Sequence, residues 1–220
     1  RPRLPIDRFF TMSGFGTVVT GTLIDGELSV GQEVELVLSN VVTKIRGLQT
    51  HRKKQERVVP GTRVAANLSG VGYDTIPRGE VLTNPGWLRP TTAMDVHLRL
   101  LPDMSHSIRH NMFVTVHTGS SESIGRLRLL EGDTAEPGAS TWAQLKLNSP
   151  LAVLKGDGFV IRSSMITLGG GRIVDPHARR HKRRHVPTID RLAVLETGEE
   201  QDVLLNIIES LQPTTLATLL

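Results

Sequence analysis

The sequence has no cysteine, few aromatic residues and no long apolar run. Without cysteine the chain forms neither a disulfide nor a thiolate metal site. Its apolar runs fall short of the roughly 20 residues that a membrane helix requires, and no signal-peptide pattern opens the chain. These absences predict a cytoplasmic protein with no membrane partner. The sequence starts at Arg1 rather than at a methionine and stops within an apolar run at Leu220, so we expect a piece of a longer protein.

The positive charge of the chain is concentrated in one short segment. The chain has 26 lysine and arginine residues against 22 acidic residues, a net charge of +4. Residues 177–185, called the basic segment below, contain five of these bases and no acid: Arg179, Arg180, Lys182, Arg183 and Arg184. The rest of the chain has 21 bases and 22 acids. A local basic run of this kind indicates contact with RNA phosphate, and the alternative is a solvated linker.

Short strand patterns separated by glycine turns occupy residues 4–175 in two groups. The first group is predicted at residues 16–23, 32–38, 42–48, 63–68 and 80–82. A short connection between Gly86 and Pro90 separates it from a second group, predicted at 94–100, 112–118, 126–130, 141–147, 159–162 and 166–168. Strands at this spacing are typical of small barrels. The sequence therefore predicts a mainly β fold, with two antiparallel β-barrels in series at residues 1–87 and 88–176.

The periodicity changes after the second barrel, and residues 177–220 are predicted to be a basic linker followed by the start of a helical domain. Apolar residues between Val203 and Leu211 recur at helical spacing, with acids just before them where the helix dipole favours negative charge. Gln212-Pro213 ends that helix, and the threonines that follow are suited to cap another. This pattern is typical of the start of a helix–turn–helix.

The glycines of the first barrel do not form a nucleotide site. Gly16 and Gly21 have the spacing of a phosphate loop, but Thr22-Leu23 follows where that loop needs Lys-Ser or Lys-Thr. No helix follows to supply an anion-binding N-terminus. We therefore predict that this chain binds no cofactor by itself.

Catalytic and metal sites are also not predicted. The aspartates Asp157 and Asp175 have no histidine or serine partner at a motif spacing, which argues against hydrolysis. The histidines His177, His181 and His185 recur every four residues, which would place three imidazoles on one face if the segment were helical. The interleaved bases repel a cation, and no acidic or cysteine ligand lies beside them.

One stretch, Leu4–Leu23, resembles the start of the second domain of elongation factor Tu and its relatives. Later segments continue the pattern of that domain in order: Val30–Val34, Gly61–Leu68 and Arg78–Leu82. Four further features resemble the selenocysteine-specific branch of these translational GTPases more than the general factors: Asp7-Arg8, Phe15-Gly16, Gly21-Thr22 and the closing stretch Thr167–Pro176. The basic segment and the helical pattern after it resemble the bridge to the RNA-binding winged helices of that branch.

The resemblance implies a protein that delivers selenocysteinyl-tRNA to the ribosome. It also implies that GTP and Mg²⁺ are bound by an N-terminal domain outside this sequence, and that an mRNA hairpin is recognised by C-terminal domains beyond it. Three alternatives remain open: a general factor for ordinary aminoacyl-tRNA, an enzyme in its own right, and a ribosome-docking barrel pair without an amino-acid pocket.

The resemblance further assigns Asp7, Arg8 and Arg63 to a pocket that receives the aminoacyl group. A selenol is more acidic than a thiol and is largely ionised at neutral pH, whereas a free cysteine needs about 2 kcal/mol to ionise at pH 7. Two guanidiniums would therefore select against cysteine by roughly 30-fold. Asp7 would hold an arginine or accept a hydrogen bond from the ammonium group of the amino acid. From spacing alone, a surface Asp–Arg pair is the competing interpretation.

Overall fold

The structure is a computed structural model that describes residues 1–12, 16–72, 76–198 and 201. The part of the chain that it describes contains short strands throughout and one α-helix near its end, which confirms the predicted mainly β fold. The chain divides into two compact units. The first comprises Arg1–Thr92, Thr115–Ile124 and Leu147–Leu154, and the second comprises Ala93–Val114, Gly125–Lys146 and the described residues from Lys155 onward.

The first barrel is built from the N-terminal strands. These are β1 (Arg3–Met12), β2 (Gly16–Thr22), β3 (Leu28–Ser29), β4 (Glu33–Leu36), β5 (Val41–Thr50), β6 (Lys53–Gln55), β7 (Arg57–Val58), β8 (Arg63–Leu68) and β9 (Val81–Thr83). Six of them close in the order β4-β9-β1-β2-β8-β5, and β5 pairs back to β4. Every one of these pairings is antiparallel. Strand β6 pairs antiparallel with the end of β5, and β3 pairs with β7 as a separate two-stranded sheet.

The apolar side chains of alternate strand residues fill this barrel. In β8 the side chains of Val64, Ala66 and Leu68 are buried, and they belong to a core that also contains Leu4 and Leu36. Alternating residues of a strand point to opposite faces, so each strand contributes one row of side chains to the core. The chain bends at Gly26, whose φ of +58° is a left-handed conformation that glycine adopts at little cost.

Five of the six strands of the second barrel are longer than the sequence predicts, and the strand at Met112–Thr118 has the predicted bounds. Its strands are β10 (Thr91–Leu100), β12 (Met112–Thr118), β13 (Ser121–Leu129), β15 (Ser140–Leu151), β16 (Gly158–Ser163) and β17 (Ile166–Asp175), which close in the order β10-β15-β13-β12-β16-β17. Two short strands between them, β11 (Ile108–Arg109) and β14 (Thr134–Ala135), pair with each other. The two predicted barrels are therefore confirmed.

Three consecutive glycines let strand β17 lie close to both of its neighbours. A Cβ at Gly169 or Gly171 would overlap the backbone oxygens of Arg99 or His97 in β10, and one at Gly170 would overlap that of Phe159 in β16. Only glycine fits such a close approach of backbones. The glycine run is therefore part of an extended strand that closes the barrel.

A helix follows the basic segment and packs on the second barrel. Helix α1 (Val186–Thr197) has a proline in its first turn, where the missing N–H costs no hydrogen bond. Its residues Leu192 and Leu195 are buried in a cluster with Leu130, Trp142 and Val174. The basic linker therefore ends at His185, because apolar residues of α1 find a partner surface on the barrel. The helix predicted from Val203 lies outside the described residues.

Candidate functional site

A β-bulge in strand β1 places two neighbouring side chains on the same outer face of the first barrel. Ile6 pairs with Gly21 and Arg8 with Thr20, so Asp7 and Arg8 together oppose one residue of β2. Both side chains are exposed, whereas Ile6 is buried. A bulge adds one residue to a strand and re-aims its side chains. The Asp-Arg dipeptide therefore faces outward as a unit.

Asp7 binds Arg63 through both of its carboxylate oxygens. Arg63 Nη1 donates to Asp7 Oδ2 at 2.5 Å, Arg63 Nη2 donates to Asp7 Oδ1 at 3.0 Å, and Thr20 Oγ1 donates to the same Oδ1 at 3.0 Å. Arg63 opens β8 and pairs with Thr22, so strand β2 lies between the two charged residues. A two-point guanidinium–carboxylate contact fixes the orientation of both groups.

Arg8 completes the group without taking part in that ion pair. Its backbone oxygen accepts a 3.3 Å hydrogen bond from Thr20 Oγ1, and among the described residues its guanidinium forms no ion pair. Asp7, Arg8 and Arg63, called the DRR triad below, therefore carry a formal charge of +1. The hydrogen bond from Arg63 is the main reason why the pKa of Asp7 lies below its usual value, and the charge of Arg8 lowers it further.

The lowered pKa of Asp7 leads to a testable titration. We expect the Asp7 carboxyl to titrate below an ordinary aspartate, and Arg63→Gln to raise its pKa because the strongest donor is lost. The contribution of this pair to stability is present above the unfolded-state pKa and disappears as pH falls through the folded-state pKa. Carboxyl ¹³C NMR titration measures it. The charge-matched control Arg46→Gln, at an exposed position of β5, should leave the titration unchanged; an unshifted Asp7 in Arg63→Gln would contradict the assignment.

The basic segment is fastened to the second unit along its length. Ala178 N donates to Ala93 O at 3.1 Å and Arg184 N to Leu130 O at 2.6 Å. Between them, Gln144 Nε2 donates to Arg179 O at 2.8 Å. The segment is not helical, so the arrangement of its three histidines on one helix face, considered from their spacing, is wrong. Backbone hydrogen bonds to the barrel explain why the local spacing does not decide its conformation.

A buried contact between His181 and Asp95 anchors the middle of the basic segment. His181 Nε2 lies 2.5 Å from Asp95 Oδ2, and Gln144 Nε2 donates to Asp95 Oδ1 at 3.0 Å. Asp95 is fully buried, and burial raises its pKa while the hydrogen bond from His181 opposes that shift. The alternation of β10 predicts that Asp95 faces solvent. It does point away from the barrel core, but the basic segment covers it.

The five predicted RNA-binding bases divide into two groups. Arg183 and Arg184 both pair with Asp133, the latter at 2.6 Å, and Arg183 is the main reason why the pKa of Asp133 is lowered. Among the described residues, the other three form no ion pair: Arg179, Arg180 and Lys182. No local pattern singles out Asp133 as a partner of these arginines, because it lies about 50 residues away along the chain.

The described residues contain no group of three or more histidine, cysteine, aspartate or glutamate side chains placed to hold a metal ion. They also contain no helix long and apolar enough to cross a membrane.

Comparisons with known proteins cover both barrels. Residues 16–83 match the family model of elongation factor Tu domain 2, and residues 94–180 match that of the selenocysteine-specific elongation factor β-barrel domain. The selenocysteine-specific elongation factor of Desulfomicrobium baculatum is 41% identical over 202 residues, which are 90% of this chain. That of Haemophilus influenzae is 31% identical over 206 residues, also 90% of the chain. The chain spans 32% of the length of each relative. By its two domain matches and these relatives, the chain belongs to the selenocysteine-specific elongation factors of the elongation factor Tu-like family.

Proposed function

We propose that this chain is the aminoacyl-tRNA-binding part of a factor that delivers selenocysteinyl-tRNA to the ribosome during translation. The observation that carries the proposal is the DRR triad. It presents the ion pair of Asp7 with Arg63 and the guanidinium of Arg8 on one exposed face. The relatives of the chain are named selenocysteine-specific elongation factors. The proposed organisation is an aminoacyl-binding barrel at residues 1–87, an acceptor-arm barrel at 88–176 and a basic segment leading into a winged-helix domain at 177–220.

The triad suits an anionic amino-acid side chain. Selenocysteine is largely a selenolate at neutral pH, and the DRR triad offers it a net positive charge through Arg8 while Asp7 holds Arg63 in place. Cysteine is mostly neutral at pH 7, since its pKa is about 8.5, and serine does not ionise. Electrostatic attraction therefore favours selenocysteine over both, and the difference in affinity is the basis of selection.

The proposal for the whole protein extends beyond this chain. GTP and Mg²⁺ would be bound by an N-terminal domain, and an mRNA hairpin by the C-terminal domains, with the ribosome as the third partner and the cytoplasm as the site of action. Within this chain the work is binding and selection. None of its residues is assigned a catalytic role.

A binding comparison tests the proposal. We expect the full-length protein with GTP to bind selenocysteinyl-tRNA roughly 30-fold more tightly than cysteinyl-tRNA on the same tRNA body, and to bind the seryl form more weakly still. Filter binding at pH 7 measures the three affinities. Equal affinities would identify a factor for ordinary aminoacyl-tRNA, or a docking module without an amino-acid pocket.

The basic segment is proposed to contact RNA phosphate. Changing Arg179, Arg180, Lys182, Arg183 and Arg184 together to glutamine should reduce the slope of log affinity against log salt by about 3 to 4 units if all five bases neutralise phosphates. Changing only Arg183 and Arg184 should reduce the slope less than changing two of the other three bases. The reason is that Asp133 already neutralises part of the charge of Arg183 and Arg184. A salt slope that is unaffected by all five changes would show that the segment has a structural role and does not contact RNA phosphate.

A further inference from the structure

A cleft on the second unit is lined by five basic side chains and by no acidic one. The lining residues are Arg128, Arg180, His181, Lys182 and Arg183. Arg128 belongs to strand β13, whereas the other four belong to the basic segment. A rigid barrel strand and a chain segment from more than 50 positions later therefore contribute positive charge to one surface.

The cleft is preorganised by the side chain of Gln144. Its Oε1 accepts a 2.8 Å hydrogen bond from Arg128 Nη1. Its Nε2 donates to Asp95 Oδ1 at 3.0 Å and to Arg179 O at 2.8 Å. One amide thus orients the guanidinium of Arg128 and holds the backbone of the basic segment beside it. The buried contact of Asp95 with His181 fixes the other side of the same arrangement.

The positive charge of the cleft is not neutralised from within. The two nearby acids are already engaged, Asp95 with His181 and Asp133 with Arg183 and Arg184. Among the described residues, three of the lining cations form no ion pair: Arg128, Arg180 and Lys182.

The surroundings of Arg128 disfavour the charged form of its side chain. Burial lowers the pKa of Arg128, and the charges of Arg180 and Arg183 lower it further. Burial also lowers the pKa of the nearby His110, with Arg183 as a second cause. A partly buried guanidinium among like charges costs free energy, and an anion bound in the cleft would offset that cost.

We propose that this cleft binds a phosphate group of an RNA backbone through Arg128, Arg180 and Lys182. Guanidinium forks match the oxygens of a phosphate and hold it in a fixed orientation, and a lysine adds a point charge. An RNA phosphate is favoured over a free polyphosphate because the basic segment has a further arginine on either side of the lining residues, Arg179 and Arg184, as an extended chain of phosphates would require. Arg128 is the new member, since it lies outside the basic segment. That the RNA is tRNA rests on the proposed function; recognition of phosphate does not.

The test uses the full-length protein with saturating GTP and an RNA minihelix of the acceptor arm that has no amino acid attached. We expect Arg128→Gln/Arg180→Gln to reduce the slope of log affinity against log salt by about 1 to 2 units, since about two phosphate contacts are lost. The charge-matched control Arg99→Gln/Arg109→Gln, at exposed positions of the second unit, should keep the wild-type slope. Arg180→Gln/Lys182→Gln leaves the Arg128–Gln144 hydrogen bond intact and should reproduce the effect, which excludes misfolding of β13 as its cause.

Inorganic pyrophosphate separates the possible sources of the phosphate. It should compete with the minihelix on the wild-type protein and several-fold less well on Arg128→Gln/Arg180→Gln. An unchanged salt slope in both double variants would overturn the proposal, and competition by pyrophosphate with that slope unchanged would identify a site for free polyphosphate instead. Because the minihelix has no amino acid, failure here is distinct from failure to discriminate selenocysteine.

Discussion

Replacing Glu80 with alanine is expected to lower the free energy of unfolding by about 3–5 kcal/mol, the cost of disrupting a buried charged network. Glu80 is fully buried, and its carboxylate accepts four hydrogen bonds. The donors are Leu38 N at 2.7 Å, Ser39 N at 2.9 Å, Ser39 Oγ at 2.6 Å and Val81 N at 2.8 Å. Alanine removes every acceptor at once and leaves three backbone N–H groups without their partner.

Urea unfolding of the chain measures this loss as a shift of the midpoint at constant m-value. Glu80→Gln keeps the shape of the side chain but turns one acceptor into a donor that faces Ser39 or Leu38, so an intermediate loss is expected. The control is Glu56→Ala, because Glu56 is an exposed acid of the same barrel. A loss below about 1 kcal/mol for Glu80→Ala, similar to that of ordinary surface changes, would show that water replaces the carboxylate at no great cost.

The role of Glu80 illustrates what strand patterns leave open. The sequence predicts a strand at residues 80–82 and so suggests that Glu80 belongs to the ladder. In the structure β9 begins at Val81, and Glu80 instead fixes the turn after β4. Alternation identifies strands because it reflects one buried face, and for this reason both barrels are predictable. It does not identify which buried carboxylate organises a loop about 40 residues away.

The sequence predicted the residues of the two candidate sites to different extents. Asp7, Arg8 and Arg63 were identified by resemblance, but their contact depends on a bulge that alternation does not predict. Arg128 and Asp95 were missed as members of a site, because each looks like an ordinary outward residue of a strand. Their environment is created by the basic segment, whose His181 lies 86 residues beyond Asp95 along the chain and packs on that face. Such long-range coverage leaves no local signal in the sequence.

The second large effect is expected at the DRR triad. Removing the positive charge of either Arg8 or Arg63 reduces the formal charge of the triad from +1 to zero. Arg8→Gln removes the unpaired guanidinium, and Arg63→Gln also frees the Asp7 carboxylate to repel an anion. We therefore expect either change to weaken selenocysteinyl-tRNA binding by up to roughly 30-fold, the discrimination available from charge at pH 7. Binding of seryl-tRNA should be nearly unchanged, because its side chain is neutral.

A charge-restoring double variant distinguishes electrostatic selection from damage to the fold. Asp7→Asn/Arg63→Gln removes one charge of each sign and returns the triad to +1 through Arg8, so it should recover part of the affinity for selenocysteinyl-tRNA that Arg63→Gln loses. Arg46→Gln is the matched control on the same barrel and should bind both tRNAs like the wild type. If Asp7 also accepts a hydrogen bond from the ammonium group of the amino acid, Asp7→Asn alone weakens both aminoacyl-tRNAs. Equal losses for both tRNAs in Arg8→Gln and Arg63→Gln would instead assign the arginines a structural role, because a charge effect cannot act on the neutral seryl side chain.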